Sequence, residues 1–168
     1  MKKIILLLFT TFIFGQTISK NECYVDVCLE LINHNKSEKT FEIYMINTTK
    51  VAGFQADFNG IGIQGGEGGF LNQYGYESTF SLQRILSFSM QGTVIPVGAG
   101  VLTKIKYSNK DAEACMTEII FAGYGGSQLS TSISGCLDLS KSSSIAQENC
   151  IEFIALWTAR DIAAQIGK

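Results

Sequence analysis

Histidine, proline and tryptophan are almost missing from this chain, with one residue of each among 168. A single His34 and no Cys-x-x-Cys pair leave no ligand set for a structural zinc site. A Ser-His-Asp arrangement would have to use His34, which falls in the polar turn expected over Asn33 to Glu38, with no nucleophile motif beside it. Charge is scarce as well. Charged residues make up 17%, the net charge is -2, and no Lys/Arg cluster occurs beyond the N-terminus, so electrostatics give no reason to expect nucleic acid as a partner. The shortage of charge beside 11% aromatic residues argues for a folded body rather than disorder. Long apolar runs are missing too. The run Ile4 to Phe14 is shorter than the roughly 20 residues a membrane span needs, and the apolar tail is broken by Glu152, Arg160 and Asp161.

What is present is punctuation and alternation. Seventeen glycines supply turns between short strands, and the length fits one domain with room for a core. Lys2 and Lys3 precede the Ile4–Phe14 run, and small residues follow at Gly15, Thr17 and Ser19. That layout predicts a secretory signal peptide over residues 1–19 and hence an exported protein, secreted or at the cell surface, with no span after cleavage. Export would place the five cysteines in an oxidising compartment, where an odd count leaves one thiol over. Cys115 with Cys136 is the preferred pair, joining the start and end of the late strands. Cys23 and Cys28 would point to opposite faces of a straight strand and so are not expected to bridge.

The clearest alternation is Val51-Ala-Gly-Phe-Gln-Ala-Asp-Phe-Asn59, with Phe54, Ala56 and Phe58 on one side and Gln55 and Asp57 on the other. Each buried Phe contributes roughly 1.5–3 kcal/mol. Val25, Val27, Leu29 and Leu31 share a parity, as do Phe41, Ile43 and Met45. In Thr79 to Gln91, Leu86, Phe88 and Met90 alternate with Ser87, Ser89 and Gln91, so the serines and the glutamine are assigned to the wet face. Gly60 to Gly69 reads as a glycine-rich loop. Its Gly60, Gly62 and Gly65 fit G-x-G-x-x-G, but no helix start follows to hold a pyrophosphate. Short strands at this spacing predict an all-β antiparallel sandwich over residues 22–140. Residues 141–168 read as a Ser-rich linker and a C-terminal helix over Ile145 to Ile166, with Ile151, Ile154, Ala155, Ile162 and Ile166 near one stripe.

Taken in series, several pieces resemble a cohesin-like domain, a jelly-roll sandwich related to cellulose-binding modules. They are Val51-Ala-Gly-Phe-Gln55 with Asp57 and Phe58, Gly65-Gly66 and Gly68-Gly69, Ile85-Leu-Ser-Phe-Ser89, Ile95-Pro96, Gly100-Val-Leu-Thr103, and Cys115 with Cys136. The likeness covers about residues 38 to 140. It implies a noncatalytic module for protein–protein attachment, with a dockerin-like module as partner. Gln55, Asp57, Ser87, Ser89 and Gln91 are the candidate surface.

Two other functions compete. Tyr74 and Tyr76 share one parity and could stack together on a polysaccharide, although such rings more often plug a sandwich edge. Asp57, Glu67 and Glu77 could serve a glycoside hydrolase, although wet-face carboxylates are more often simply solvated. Asn109-Lys-Asp-Ala-Glu113 offers oxygen donors for calcium but lacks the ligand density of a calcium loop. Otherwise no metal or cofactor is implied. Asn35-Lys-Ser37 and Asn47-Thr-Thr49 are glycosylation sequons, which predict surface loops.

Overall fold

The computed structural model describes residues 23–143. The signal peptide, Cys150 and the Ile145–Ile166 helix expectation lie outside the described residues. Eleven strands and one short helix follow in order: β1 (Val27–Asn35), β2 (Thr40–Asn47), β3 (Val51–Asn59), β4 (Ile61–Glu67), α1 (Gly69–Gln73), β5 (Glu77–Phe80), β6 (Arg84–Phe88), β7 (Gly98–Asn109), β8 (Glu113–Gly123), β9 (Gln128–Leu129), β10 (Thr131–Ile133) and β11 (Leu137–Asp138). They form two sheets, ordered β10-β1-β2-β7-β4 and β11-β8-β3-β6-β5, with β9 added to β8. Most connections cross between the sheets, which is the winding of a jelly roll. One pair departs from the antiparallel expectation: β1 and β10 run parallel.

The alternation read from the sequence explains how the sheets meet. Phe41, Ile43 and Met45 of β2 and Phe54, Ala56 and Phe58 of β3 are all buried between them. The rings of Phe41 and Phe58 lie 5.9 Å apart across the core, and Phe41 and Tyr107 lie 5.6 Å apart. At the other end Phe54 and Phe121 approach to 4.8 Å, within the range where aromatic pairs add to simple burial.

The glycine-rich stretch is a strand rather than a loop. β4 pairs with β7 from Ile61↔Asn109 to Glu67↔Lys104. A Cβ on Gly66 would stand 2.9 Å from the Phe80 ring, so glycine here permits close packing instead of mobility. No dinucleotide loop remains, since G-x-G-x-x-G runs into an antiparallel strand.

The cysteine arithmetic also needs one correction. Cys115–Cys136 is bonded, and so is Cys23–Cys28. The geometric objection to the second pair assumed a straight strand, but β1 begins only at Val27 and Cys23 lies in the bent segment before it. The fifth cysteine, Cys150, lies outside the described residues. Asn47 is buried, and its Nδ2 donates to the Thr49 and Pro96 carbonyls, so this sequon is no surface loop.

His34 belongs to β1 rather than to a turn. Its buried ring bonds the Tyr107 hydroxyl and the Lys141 carbonyl. Together with Ser143 N–H donating to the His34 carbonyl, this ties residues 141–143, read as linker, to the end of β1.

Truncating Phe54 to Ala removes half of the Phe54–Phe121 pair and should cost about 3–5 kcal/mol. Gln55→Ala, on the opposite parity, should leave the melting temperature nearly unchanged, as thermal unfolding followed by circular dichroism will show.

Candidate docking face on the β8-β3-β6-β5 sheet

β6 is the strand whose two faces are reversed from expectation. It pairs with β3 as Phe54↔Ser87 and Ala56↔Ile85 on the inner side, and as Gly53↔Phe88, Gln55↔Leu86 and Asp57↔Arg84 on the outer. Ile85 and Ser87 are fully buried; Leu86 and Phe88 are 41% and 39% exposed. A one-residue slip would exchange the two sets. It would bring Leu86 and Phe88 inside but carry Arg84 with them, and an unpaired guanidinium in the core costs more than two apolar side chains gain. The observed register keeps Arg84 in water. It also sets a small side chain across from Phe54, where the Phe54–Phe121 pair occupies the space. Ser87 stays satisfied through a 2.7 Å hydroxyl pair with Ser78 of β5.

The outer surface can be read strand by strand. One row runs Glu77–Phe88–Gly53–Ala122, and the next runs Thr79–Leu86–Gln55–Ile120. Gly53 has no side chain and Ala122 a short one, so a shallow trough lies beside the Phe88 ring. Ile120 is also 41% exposed, and Met90 and Tyr124 are exposed where β6 and β8 leave the sheet.

Beyond Gln55 the face becomes charged. Arg84 donates to both oxygens of Asp57, at 2.5 and 2.7 Å. This bidentate bond holds the Asp57 carboxyl below its ordinary pKa. Glu118 stands near the pair, on a β8 bulge that sets two residues against Ala56, and takes a left-handed backbone with φ 48°. The result is an apolar half and a charged half on one face of the sheet.

The candidate surface from the sequence is therefore partly rearranged. Gln55 and Asp57 face outward, as assigned. Ser87 is buried and drops out. Ser89 is half-buried, and its hydroxyl accepts from the backbone N–H of Gln91 and Thr93, so it caps a turn. Gln91 is exposed in that turn, beyond the end of the sheet. The residues missed were Leu86, Phe88 and Ile120. Arg84 was the signal that could have found them, because its parity is theirs.

The other candidates are dispersed. Tyr76 is buried and donates its hydroxyl to the Val51 and Thr93 carbonyls, while half-buried Tyr74 stacks on Phe70 at 6.0 Å. The two rings thus form no aligned platform for sugar. Glu67 lies on the β4-β7 sheet, away from Asp57 and Glu77. Glu77 pairs in the row of Gly53, four residues along β3 from Asp57 and two strands over. That is about 13 Å along the strand alone, beyond the spacing of a glycosidase pair. In the turn offered for calcium, Asp111 and Glu113 are exposed, and the Gly60 carbonyl accepts from the Lys110 and Asp111 N–H groups. Glu113 also lies close to Cys115 and Cys136, but those sulfurs are bonded to each other and are not thiolate ligands. On the opposite sheet an open groove is lined by Glu38, Gln64, Glu67, Lys104 and Lys106, charges of both signs without an apolar patch. Among the described residues no helix is long and apolar enough to cross a membrane.

No protein-family model and no curated protein matches the sequence. Among solved structures, the chain is similar to a non-cellulosomal cohesin from the archaeon Archaeoglobus fulgidus, at 13% identity and TM-score 0.49, over 76% of this chain and 97% of that one. It is similar also to a cohesin of scaffoldin B from Acetivibrio cellulolyticus solved with a dockerin, at 8% identity and TM-score 0.48, over 68% and 97%. A third is a type I cohesin–dockerin complex from Clostridium thermocellum, at 11% identity and TM-score 0.46, over 66% and 89%.

Because Asp57 is more acidic folded than unfolded, its bond to Arg84 stabilises the protein above the ordinary carboxylate pKa of about 3.9. That contribution is lost as pH falls through the lowered folded value. Asp57→Asn should therefore melt below wild type near neutral pH, with the gap closing in acid; a gap that widened in acid would contradict the assignment.

Proposed function

We propose that this protein is a noncatalytic attachment module, which binds another folded protein module through the outer face of the β8-β3-β6-β5 sheet. The observation that carries the reading is the inside-out β6, which spends two large apolar side chains, Leu86 and Phe88, on water while a serine occupies the core. Exposed apolar residues scattered singly need no explanation, but a contiguous set rimmed by charge marks an interaction surface. Leu86, Phe88 and Ile120 supply the apolar centre. Gln55, Thr79 and Glu77 supply hydrogen-bonding groups around it, and Arg84, Asp57 and Glu118 form a charged border that would fix orientation.

The class of partner follows from the shape. A broad strand surface, on which no pocket stands out among the described residues, suits a protein better than a small ligand, which needs concavity. The sequence resemblance to cohesin-like domains makes a dockerin-type module the first partner to try. Export through the N-terminal segment is part of the same reading, and two disulfides suit an oxidising compartment. Polysaccharide has less support, because Tyr76 is committed to the interior.

A panel of dockerin modules tested by surface plasmon resonance against the full chain provides the check. Binding is expected for at least one module. The double variant Leu86→Asp/Ile120→Asp should weaken it by at least about 30-fold, the effect of losing a hot spot worth 2 kcal/mol. Lys104→Ala on the opposite sheet should leave it unchanged. Binding that survived the double variant, or sedimentation with insoluble polysaccharide and no module bound, would overturn the proposal.

A further inference from the structure

We infer that the open groove on the β10-β1-β2-β7-β4 sheet is a binding site for a short neutral oligosaccharide, seated over Gly65 beside Lys104 and Lys106 with Thr40 in its wall. The groove lies on the sheet opposite the docking face, so the inference stands apart from the docking reading and owes nothing to Tyr74 or Tyr76.

The register builds the site. β7 lies between β2 and β4, and two rows cross the outer face: Thr40–Lys106–Gly65 and Glu42–Lys104–Glu67. Phe41 and Ile43 take the opposite parity and are buried in the core. β4 carries an extra residue, Gln64, at a bulge between the Ile63↔Tyr107 and Gly65↔Lys106 pairs, and Gln64 is exposed at the groove's side. Gly65 has a φ of 152°, and a Cβ there would meet no atom within 4 Å, so the absent side chain leaves open space beside Lys106. The groove holds about 580 Å³, in the range of small-ligand sites.

Two observations point to a ligand. The first is Thr40, which lines the groove, is only 8% exposed and has a buried hydroxyl without a partner. Its row neighbours do not serve it. Asn35 Oδ1 accepts from the Ser37 and Glu38 N–H groups, and the Lys106 ammonium makes no bond among the described residues. A buried hydroxyl left unpaired costs stability that a valine in its place would not. Because nothing holds the Lys106 side chain, a ligand hydroxyl can move it aside and pair with Thr40 Oγ1.

The second observation is the pattern of charge. Among the described residues, no side-chain hydrogen bond or ion pair engages Glu38, Gln64, Glu67, Lys104 or Lys106. The signs alternate: Lys104 stands in register between Glu42 and Glu67, on strands about 4.8 Å apart. A charged ligand would meet its own sign one strand away, and a zwitterion needs its poles set apart. A sugar suits this alternation, because each hydroxyl both donates and accepts. It can take N–H bonds from lysine and glutamine and give O–H bonds to glutamate.

An NMR titration of the isotope-labelled full chain with soluble neutral gluco-, xylo- and manno-oligosaccharides tests the inference. At least one should shift the amide signals of Thr40, Gly65 and Lys106 in a saturable way. Thr40→Val removes only the hydroxyl and should weaken that binding about 10-fold, the effect of one hydrogen bond. Without ligand it should melt no lower than wild type. Lys106→Ala, at an exposed position, serves as the second variant if the valine chain loses its fold, with a loss of similar size. Leu86→Asp/Ile120→Asp, on the other sheet, should leave the shifts unchanged. The inference falls if no neutral oligosaccharide moves the groove signals, or if only uronate-bearing sugars, sulfated sugars or short peptides do. It falls if binding ignores both Thr40→Val and Lys106→Ala. A valine variant that melts lower with binding intact would also overturn it, since the hydroxyl would then have its partner in the free protein.

Discussion

Everything in this molecule hangs on the pairing of β3 between β6 and β8. β3 is the strand from which the parity of its sheet is set: Phe54, Ala56 and Phe58 turn inward together, and each neighbour must match them residue for residue. Once Phe54 sits against Phe121 and Phe58 against Phe41, the inner position across from Phe54 is crowded, and β6 must offer something small there. Ser87 does so. The consequence appears on the other side of the sheet, where the large residues of β6 are left facing water. Packing and the proposed docking face are thus two results of one register.

The register is held by both faces at once. Inside, Ser78 and Ser87 satisfy each other in a place where an unpaired hydroxyl would be costly. Outside, the bidentate Arg84–Asp57 bond spans the same two strands. That pair is too exposed to add much stability, but it is placed to oppose a slip, because any other register separates the two charges. The β8 bulge at Glu118 then turns the neighbouring strand beside this pair. Polar groups here specify alignment, and the aromatic pairs provide most of the energy.

Most of the sandwich could be read from the sequence because its period of two is strong in β2 and β3, where apolar and polar residues alternate cleanly. β6 defeated that reading. In Leu86-Ser-Phe-Ser-Met90 the alternation is equally clean, yet pattern alone says only that two faces differ, not which one is wet. Arg84 held the answer through its parity, but one charge at a strand end weighs little against three apolar residues. β4 was hidden for another reason: Gly66 is there to let Phe80 approach and Gly62 to let Ser108 of the neighbouring strand approach, and composition alone makes that indistinguishable from a loop. Tyr76 and Asn47 are buried by contacts to carbonyls distant in sequence, which no local pattern displays.

The central claim is that β6 lies with Leu86 outward and Ser87 inward, and thermal melts of Leu86→Asp and Ser87→Asp, measured side by side, test it most directly. The account predicts that Leu86→Asp unfolds close to the wild-type temperature, because the new carboxylate is solvated. It predicts that Ser87→Asp fails to fold or melts far lower, since that carboxylate would be buried beside Phe54. The opposite order of stabilities would contradict the register, and with it the docking face.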